Sequence, residues 1–170
     1  MRYEFAQREN KDWSFEESKV IHDAFEFMAN LPEGDPICTI GQYLSKVTGV
    51  KYLLIGRFVP PENDKVQTVC FLNGGQQLAN MTYDLKNTPC YGVYQQQVCY
   101  YPFGVQEEFP EDFDLVVLGA TSYMGAALKD YSGESIGLIV LMHDKTIENP
   151  ALIDNLLSIV SPAIEKQLAG

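Results

Sequence analysis

Basic residues are scarce in this chain. Its 170 residues carry 12 Lys and Arg against 23 Asp and Glu, a formal net charge of −11. Gripping a phosphate backbone needs clustered cations, so the balance excludes a nucleic-acid partner and disfavours an anionic membrane surface. Long apolar runs are missing as well. None approaches the ~18 residues of a spanning helix, and residues 1–12 hold no apolar signal region. These absences predict a cytoplasmic protein without membrane insertion. The four cysteines, Cys38, Cys70, Cys90 and Cys99, form no C-x-x-C pair and have no nearby His to complete a zinc set. No metal site is expected, and in a reducing cytosol all four are expected to be free thiols. There is no phosphate-binding loop, no G-x-S-x-G elbow and no H-E-x-x-H. No kinase, cyclase or DNA-binding motif occurs either, so any output is expected to reside in another chain or in further residues.

What is present reads as one folded domain. The hydrophobic fraction of 46% is ordinary for a soluble globular chain of this length. Residues 1–13 read as a polar lead-in and 14–170 as the domain. Ser14 and Glu17 have capping-box spacing, and Val20, Ala24, Met28 and Leu31 follow at helical intervals, which predicts a helix over 15–30. Asp35-Pro36 starts a second helix with Ile37, Ile40, Leu44 and Val47 on one face, and Gly49 ends it. Val50 to Val59 is apolar on both alternate sets, as a central strand covered on both faces must be. Lys65 to Leu72 places Val66, Thr68, Cys70 and Leu72 on one face. A weaker strand spans Gln77 to Tyr83, and Thr88-Pro89 caps and starts a short helix to about Gln96. Val98–Tyr101 is a short strand, and the acidic segment from Glu107 leads into a brief helix ending near Gly119. Ser122–Lys129 and Ser135–His143 form a hairpin, and Asn149-Pro150 opens the last helix. The fold class this predicts is α/β, in the α+β sense, with helices flanking a mostly antiparallel sheet.

From Tyr83 to Asp144 the sequence runs Y-D-L-K-N-T-P-C-Y-G-V, V-C-Y-Y-P-F-G-V-Q-E-E-F-P-E-D, L-G-A-T-S-Y-M-G-A-A-L-K-D and G-E-S-I-G-L-I-V-L-M-H-D. A T-P-C turn, a Y-P strand, an F-P-x-D helix start, an S-Y-x-G-x-x-L strand and an I-G strand occur in that order. The succession resembles GAF domains of bacterial signalling proteins, which sit beside kinase or cyclase modules, and it covers roughly Asp35 to Gly170. The resemblance implies a sheet of five to six strands with the N- and C-terminal helices on one side and short helices and loops on the other. It also implies a sensory, non-catalytic role in signal transduction of the two-component kind.

In such domains the ligand cavity lies between the sheet and the middle helices and loops. Carried onto this chain, that gives Cys90, Val93, Cys99, Tyr101 and Tyr123 as ligand-contact candidates, with plain aromatic core as the alternative. Cys90, second in its helix, sits where amides and the helix dipole favour a thiolate, against the plainer reading of a small buried filler. Bilin-binding members attach the chromophore through a Cys usually followed by His, whereas Tyr91 follows Cys90. The Asn-Lys-Phe-Asp-Glu set of cyclic-nucleotide binders has no counterpart, and His22 and His143 read as solvated or edge residues rather than haem ligands. The cofactor is therefore left unnamed, and the partner is an unidentified small molecule. Without Lys or Arg between Thr88 and Lys129, the occupant is expected to be small, apolar or aromatic, and not a phosphate. The acidic residues from Glu107 to Asp114 read as a solvated helix cap.

The last helix carries two apolar stripes, Ile153-Leu157-Val160-Ile164-Leu168 and Leu152-Leu156-Ile159-Ala163. One partner layer needs only one of them, which predicts a homodimer through the N- and C-terminal helices. Two further readings stand beside the sensor. One is an enzyme resembling the free methionine sulfoxide reductases, working through cysteines, although the G-x-x-C-G and C-D surroundings of that family are missing. The other is a dimerisation module with a filled core and no ligand.

Overall fold

The computed structural model describes residues 12–96 and 98–170. Apart from Asp12 and Trp13, the expected lead-in lies outside the described residues. The elements in order are α1 (Phe15–Ala29), α2 (Ile37–Thr48), β1 (Tyr52–Phe58), β2 (Lys65–Asn73), β3 (Gln76–Gln77), β4 (Thr82–Asp84), α3 (Pro89–Gln96), β5 (Val98–Tyr101), α4 (Val105–Glu108), α5 (Phe113–Leu118), β6 (Ser122–Lys129), β7 (Ser135–His143) and α6 (Pro150–Ala169). The local signals act as their chemistry demands. Glu17 N donates to Ser14 Oγ at 3.1 Å and Ser14 N to Glu17 Oε1 at 3.0 Å, closing the capping box. Asp35 Oδ1 accepts from Ile37 N at 2.9 Å, and Gly49 ends α2 at φ 68°, a left-handed conformation that costs glycine nothing. Asn149 caps α6 through Leu152 N and also donates to Glu17 Oε2 at 2.9 Å, tying the starts of α1 and α6 together.

The strands form one antiparallel sheet in the order β3-β2-β1-β7-β6-β5, with β4 also pairing with β2. Alternation along the central strands divides the interior in two. Leu53 and Ile55 of β1, Ile139 and Leu141 of β7, and Met124, Ala126 and Leu128 of β6 face α2 and α6. Tyr52, Leu54, Leu138, Val140, Met142 and Tyr123 face the other way, toward α3, α4, α5 and their loops. Both faces of β1 are buried from Tyr52 to Gly56, as its apolar run requires, and only Arg57 near its end is exposed.

Three expectations change. The five to six strands become seven, because the stretch from Gln77 to Tyr83 breaks into β3 and β4. The cause is a bulge in β2: Ile55 faces Cys70 and Gly56 faces Thr68, which leaves Val69 as an extra residue. The bulge reverses the faces on either side of it, so Val66 joins one core while Cys70 and Leu72 join the other. Across the break, Thr68 Oγ1 accepts from Met81 N at 2.8 Å and donates to Asn80 Oδ1 at 3.0 Å.

The thiols are not all free. Cys38 of α2 and Cys70 of β2 form a disulfide with Cα atoms 5.4 Å apart, because the face that packs α2 on the sheet brings together residues far apart in sequence. Cys90 and Cys99 are free and buried.

The second stripe of α6 is not left open. α1 packs on α6, and Leu152, Ile159 and Ala163 are half-buried against the core together with Val20, Phe27 and Met28 of α1. Among the described residues no helix is long and apolar enough to cross a membrane.

Candidate functional site

The site grows from the start of α3. Thr88 Oγ1 donates to Leu85 O at 2.7 Å rather than accepting from the helix, and Pro89 follows as the first helical residue. One position on, Cys90 turns inward beneath two phenols. Tyr123 Oη donates to Cys90 Sγ at 3.2 Å, and Tyr83 Oη hydrogen-bonds the same sulfur at 3.3 Å. Tyr123 comes from β6 and Tyr83 from β4, so three elements meet at one thiol. Opposite Tyr123 in the β5–β6 register stands Tyr101, the ring centroids 6.0 Å apart and tilted at 71°, and Phe109 closes on Tyr101 edge-on at 5.5 Å. Gly125 keeps the approach open. A Cβ there would lie 2.6 Å from Val93 Cγ2 and 2.8 Å from Tyr123 Oη.

The three groups stay protonated at neutral pH. Burial pushes the Cys90 thiol above its usual value and outweighs the hydrogen bonds from Tyr123 and Tyr83, which act the other way. Burial also raises both phenols well above theirs, and proximity to Cys90 adds to it. The expectation of a thiolate-prone Cys90 is therefore reversed. Its place in the first turn is as expected, but burial raises the thiol by more than the hydrogen bonds of Tyr123, Tyr83 and Thr88 lower it.

Beside this cluster lies a cavity of about 40 Å³, lined by Leu54, Phe71, Val140 and Met142 of the sheet, Met81 and Tyr83, Pro89 and Cys90, Tyr123, and Asp112, Asp114, Leu115 and Leu118 at α5. Of the residues proposed from sequence, Cys90 and Tyr123 line it. Val93, Cys99 and Tyr101 are buried in the same apolar layer but lie outside the lining. An open groove of about 690 Å³ beside Phe103, Gln106, Glu107 and Glu108 is larger, yet no buried polar groups converge there.

Sequence reasoning misses Tyr83, Asp112 and Asp114. Their signal is present in part: Leu115 and Leu118, spaced at three, face inward from α5, and Asp112, the N-cap residue three positions before Leu115, is carried inward with them. Its carboxyl is pushed up to about 6 from the usual 3.8, first by burial and then by Asp114. The supposedly solvated acidic cap thus forms part of the cavity wall. Among the described residues no group of three or more His, Cys, Asp or Glu side chains is placed to hold a metal ion.

No protein-family model and no curated protein sequence matches the chain. Solved structures do. The wild-type chromophore-binding domain of a Stigmatella aurantiaca phytochrome superposes with a TM-score of 0.67 at 14% identity, over 95% of this chain and 63% of that one. The chromophore-binding domain of an unusual bacteriophytochrome from R. palustris gives 0.67 at 12%, over 95% and 64%. A phycocyanobilin-bound GAF domain from a cyanobacterial phytochrome gives 0.60 at 14%, over 92% and 96%. The chain spans less than two thirds of the two phytochrome fragments and nearly the whole of the isolated GAF domain. These likenesses establish the fold, which is that of a GAF domain.

Proposed function

We propose that this GAF domain is a non-catalytic sensor. In this reading it binds a small, non-anionic molecule in the cavity at Cys90 and Tyr123, and the occupied state reaches an output module through α1 and α6, paired with those of a second copy. The observation that carries the reading is the cavity itself, an apolar recess between sheet and short helices on which a thiol, two phenols and a carboxyl converge. β7 supports the transmission. Val140 and Met142 line the cavity while Ile139 and Leu141 face the helical layer, where α6 packs on β6 and β7.

The chromophores of the structural neighbours do not fit this chain. A recess of about 40 Å³ is far below the ~300 Å³ at which sites for drug-sized ligands begin. Cys90 also lacks the following His and is held between two tyrosines. The reductase reading loses its support at the same residue, because a thiol kept protonated by burial is a poor nucleophile. The small volume does favour one second reading, a ligand-free dimerisation module. The cytoplasmic location remains part of the proposal, and the Cys38–Cys70 disulfide stands against it, since reducing compartments keep most thiols unpaired.

Thermal-shift screening of small neutral aromatics and amines against cyclic nucleotides tests the sensor. The melting temperature should rise with members of the first group only, and the rise should vanish in Leu118→Trp, where the indole fills the recess. No rise with any compound supports the ligand-free module.

A further inference from the structure

We propose that the cavity selects a small organic ammonium ion, with Asp112 as its counter-charge and Asp114 as the outer attraction. The inference rests on the cavity being a ligand site and names the chemistry of the occupant.

The walls are arranged by polarity. Cys90 and Tyr123, with 5% and 1% of their surface exposed, meet at the sheet. Asp112 is half-buried and Asp114 exposed, so negative charge concentrates on the side formed by α5. No Lys, Arg or His lines the cavity, and among the described residues neither aspartate takes part in an ion pair. Among the described residues the two carboxylates, two residues apart beside apolar walls and one of them partly desolvated, have no cationic side chain as partner, and only the backbone amides of Asp114 and Leu115 favour the charge on Asp112. An anionic ligand worsens this, and a neutral one desolvates Asp112 further with only the two backbone amides to offset the loss. A monocation with N–H donors relieves both costs at once.

A metal ion is a poorer match. Hard cations demand about six or more oxygen ligands, while beyond the two aspartates the lining offers only the phenols of Tyr83 and Tyr123 among a thiol, a proline and leucine, valine, methionine and phenylalanine side chains. Those walls suit a short hydrocarbon body, and the volume of about 40 Å³ limits its length.

The test uses the whole chain with 13C-labelled methionine methyl groups. Met81 and Met142 line the cavity, whereas Met28 and Met124 lie in the opposite layer and serve as controls. The probes are n-propylammonium, n-propanol and propionate, titrated separately at pH 7.5 and constant ionic strength. Propylammonium is expected to shift the Met81 and Met142 methyls saturably, at least about tenfold more tightly than propanol. Propionate should leave them unmoved. Asp112→Asn should lose about tenfold in ammonium affinity and keep that for propanol.

Binding should also weaken from pH 7.5 to pH 5 as Asp112 takes up a proton. The groups facing it are Asp114 on its own segment, Cys90 on α3 and Tyr83 on β4, and the last two stay protonated throughout. Propanol binding as tightly as propylammonium, or propionate binding better, would overturn the ammonium inference and leave the cavity a ligand site. No shift from any of the three would overturn both. The comparison of probes on the unsubstituted protein decides the matter even if Asp112→Asn fails to fold.

Discussion

Tyr123 on β6 donates a hydrogen bond to the sulfur of Cys90 on α3, 3.2 Å away and wholly inside the protein. This contact helps tie the middle helix to the sheet, but it does not set the state of the thiol. Hydrogen bonds from phenols favour a thiolate, yet burial acts more strongly and keeps the proton on sulfur. In the native protein Cys90 should therefore alkylate slowly at pH 8, and rapidly once the chain is unfolded. Peptide mapping of iodoacetamide adducts over time checks this. Fast native labelling at Cys90 would mean that α3 opens readily or that the thiolate is stabilised after all.

Asp112 should make stability fall as pH rises. Its folded value of about 6 lies above its ordinary 3.8, so the native state holds the proton more tightly than the unfolded chain. The stabilisation is complete below about pH 4 and is lost as pH climbs through 6. A shift of this size corresponds at most to about 3 kcal/mol, and the half-exposed position of the carboxyl screens it to about 1 kcal/mol. Asp112→Asn should raise stability by that amount at pH 7.5 and leave it unchanged at pH 4. Urea titrations at the two values check the sign.

The Cys38–Cys70 disulfide leaves two free cysteines. Thiol titration in denaturant without reductant should count two groups, and four after reduction. Reduction should lower stability by about 2–4 kcal/mol, the usual effect of opening a bridge across a loop of this length. Four thiols before reduction would show that the pair stands reduced in solution.

For assembly, the informative surface is on α1. Phe15 and Phe25 are 82% and 58% exposed there, while Ile164 of α6 is fully buried, so a charge at Ile164 would report on folding rather than association. Phe25→Glu should lower the mass seen by light scattering from dimer to monomer with little change in melting temperature. A wild-type protein that is already a monomer at tens of micromolar would remove the paired-helix route of transmission.

Most of the fold is legible in the sequence because its signals are local. The Ser14 capping box, Gly49, the doubly apolar β1 and Asn149-Pro150 each fix an element without reference to distant residues. The bulge at Val69 is not legible, since it depends on how β2 registers against β1, and with it go the splitting of β3 from β4 and the arrival of Tyr83 over Cys90. The disulfide is hidden for a similar reason: Cys38 and Cys70 meet only once α2 lies on the sheet. At the site, Thr88-Pro89 marks where α3 begins, but burial sets the chemistry of Cys90, and burial is a property of the assembled layers. Asp112 reads as solvated because acidic helix starts usually are. Its spacing to Leu115 and Leu118 is the one local hint that it turns inward.

Hydrogen exchange on the full chain, with and without a saturating amount of the compound that gives the largest thermal shift, tests the sensor most directly. Exchange should slow in α3, α5 and β7 around the cavity and also change in α1 and α6, which share no lining residue with it. Protection confined to α3 and α5, with α1 and α6 unaltered at saturation, would contradict the account.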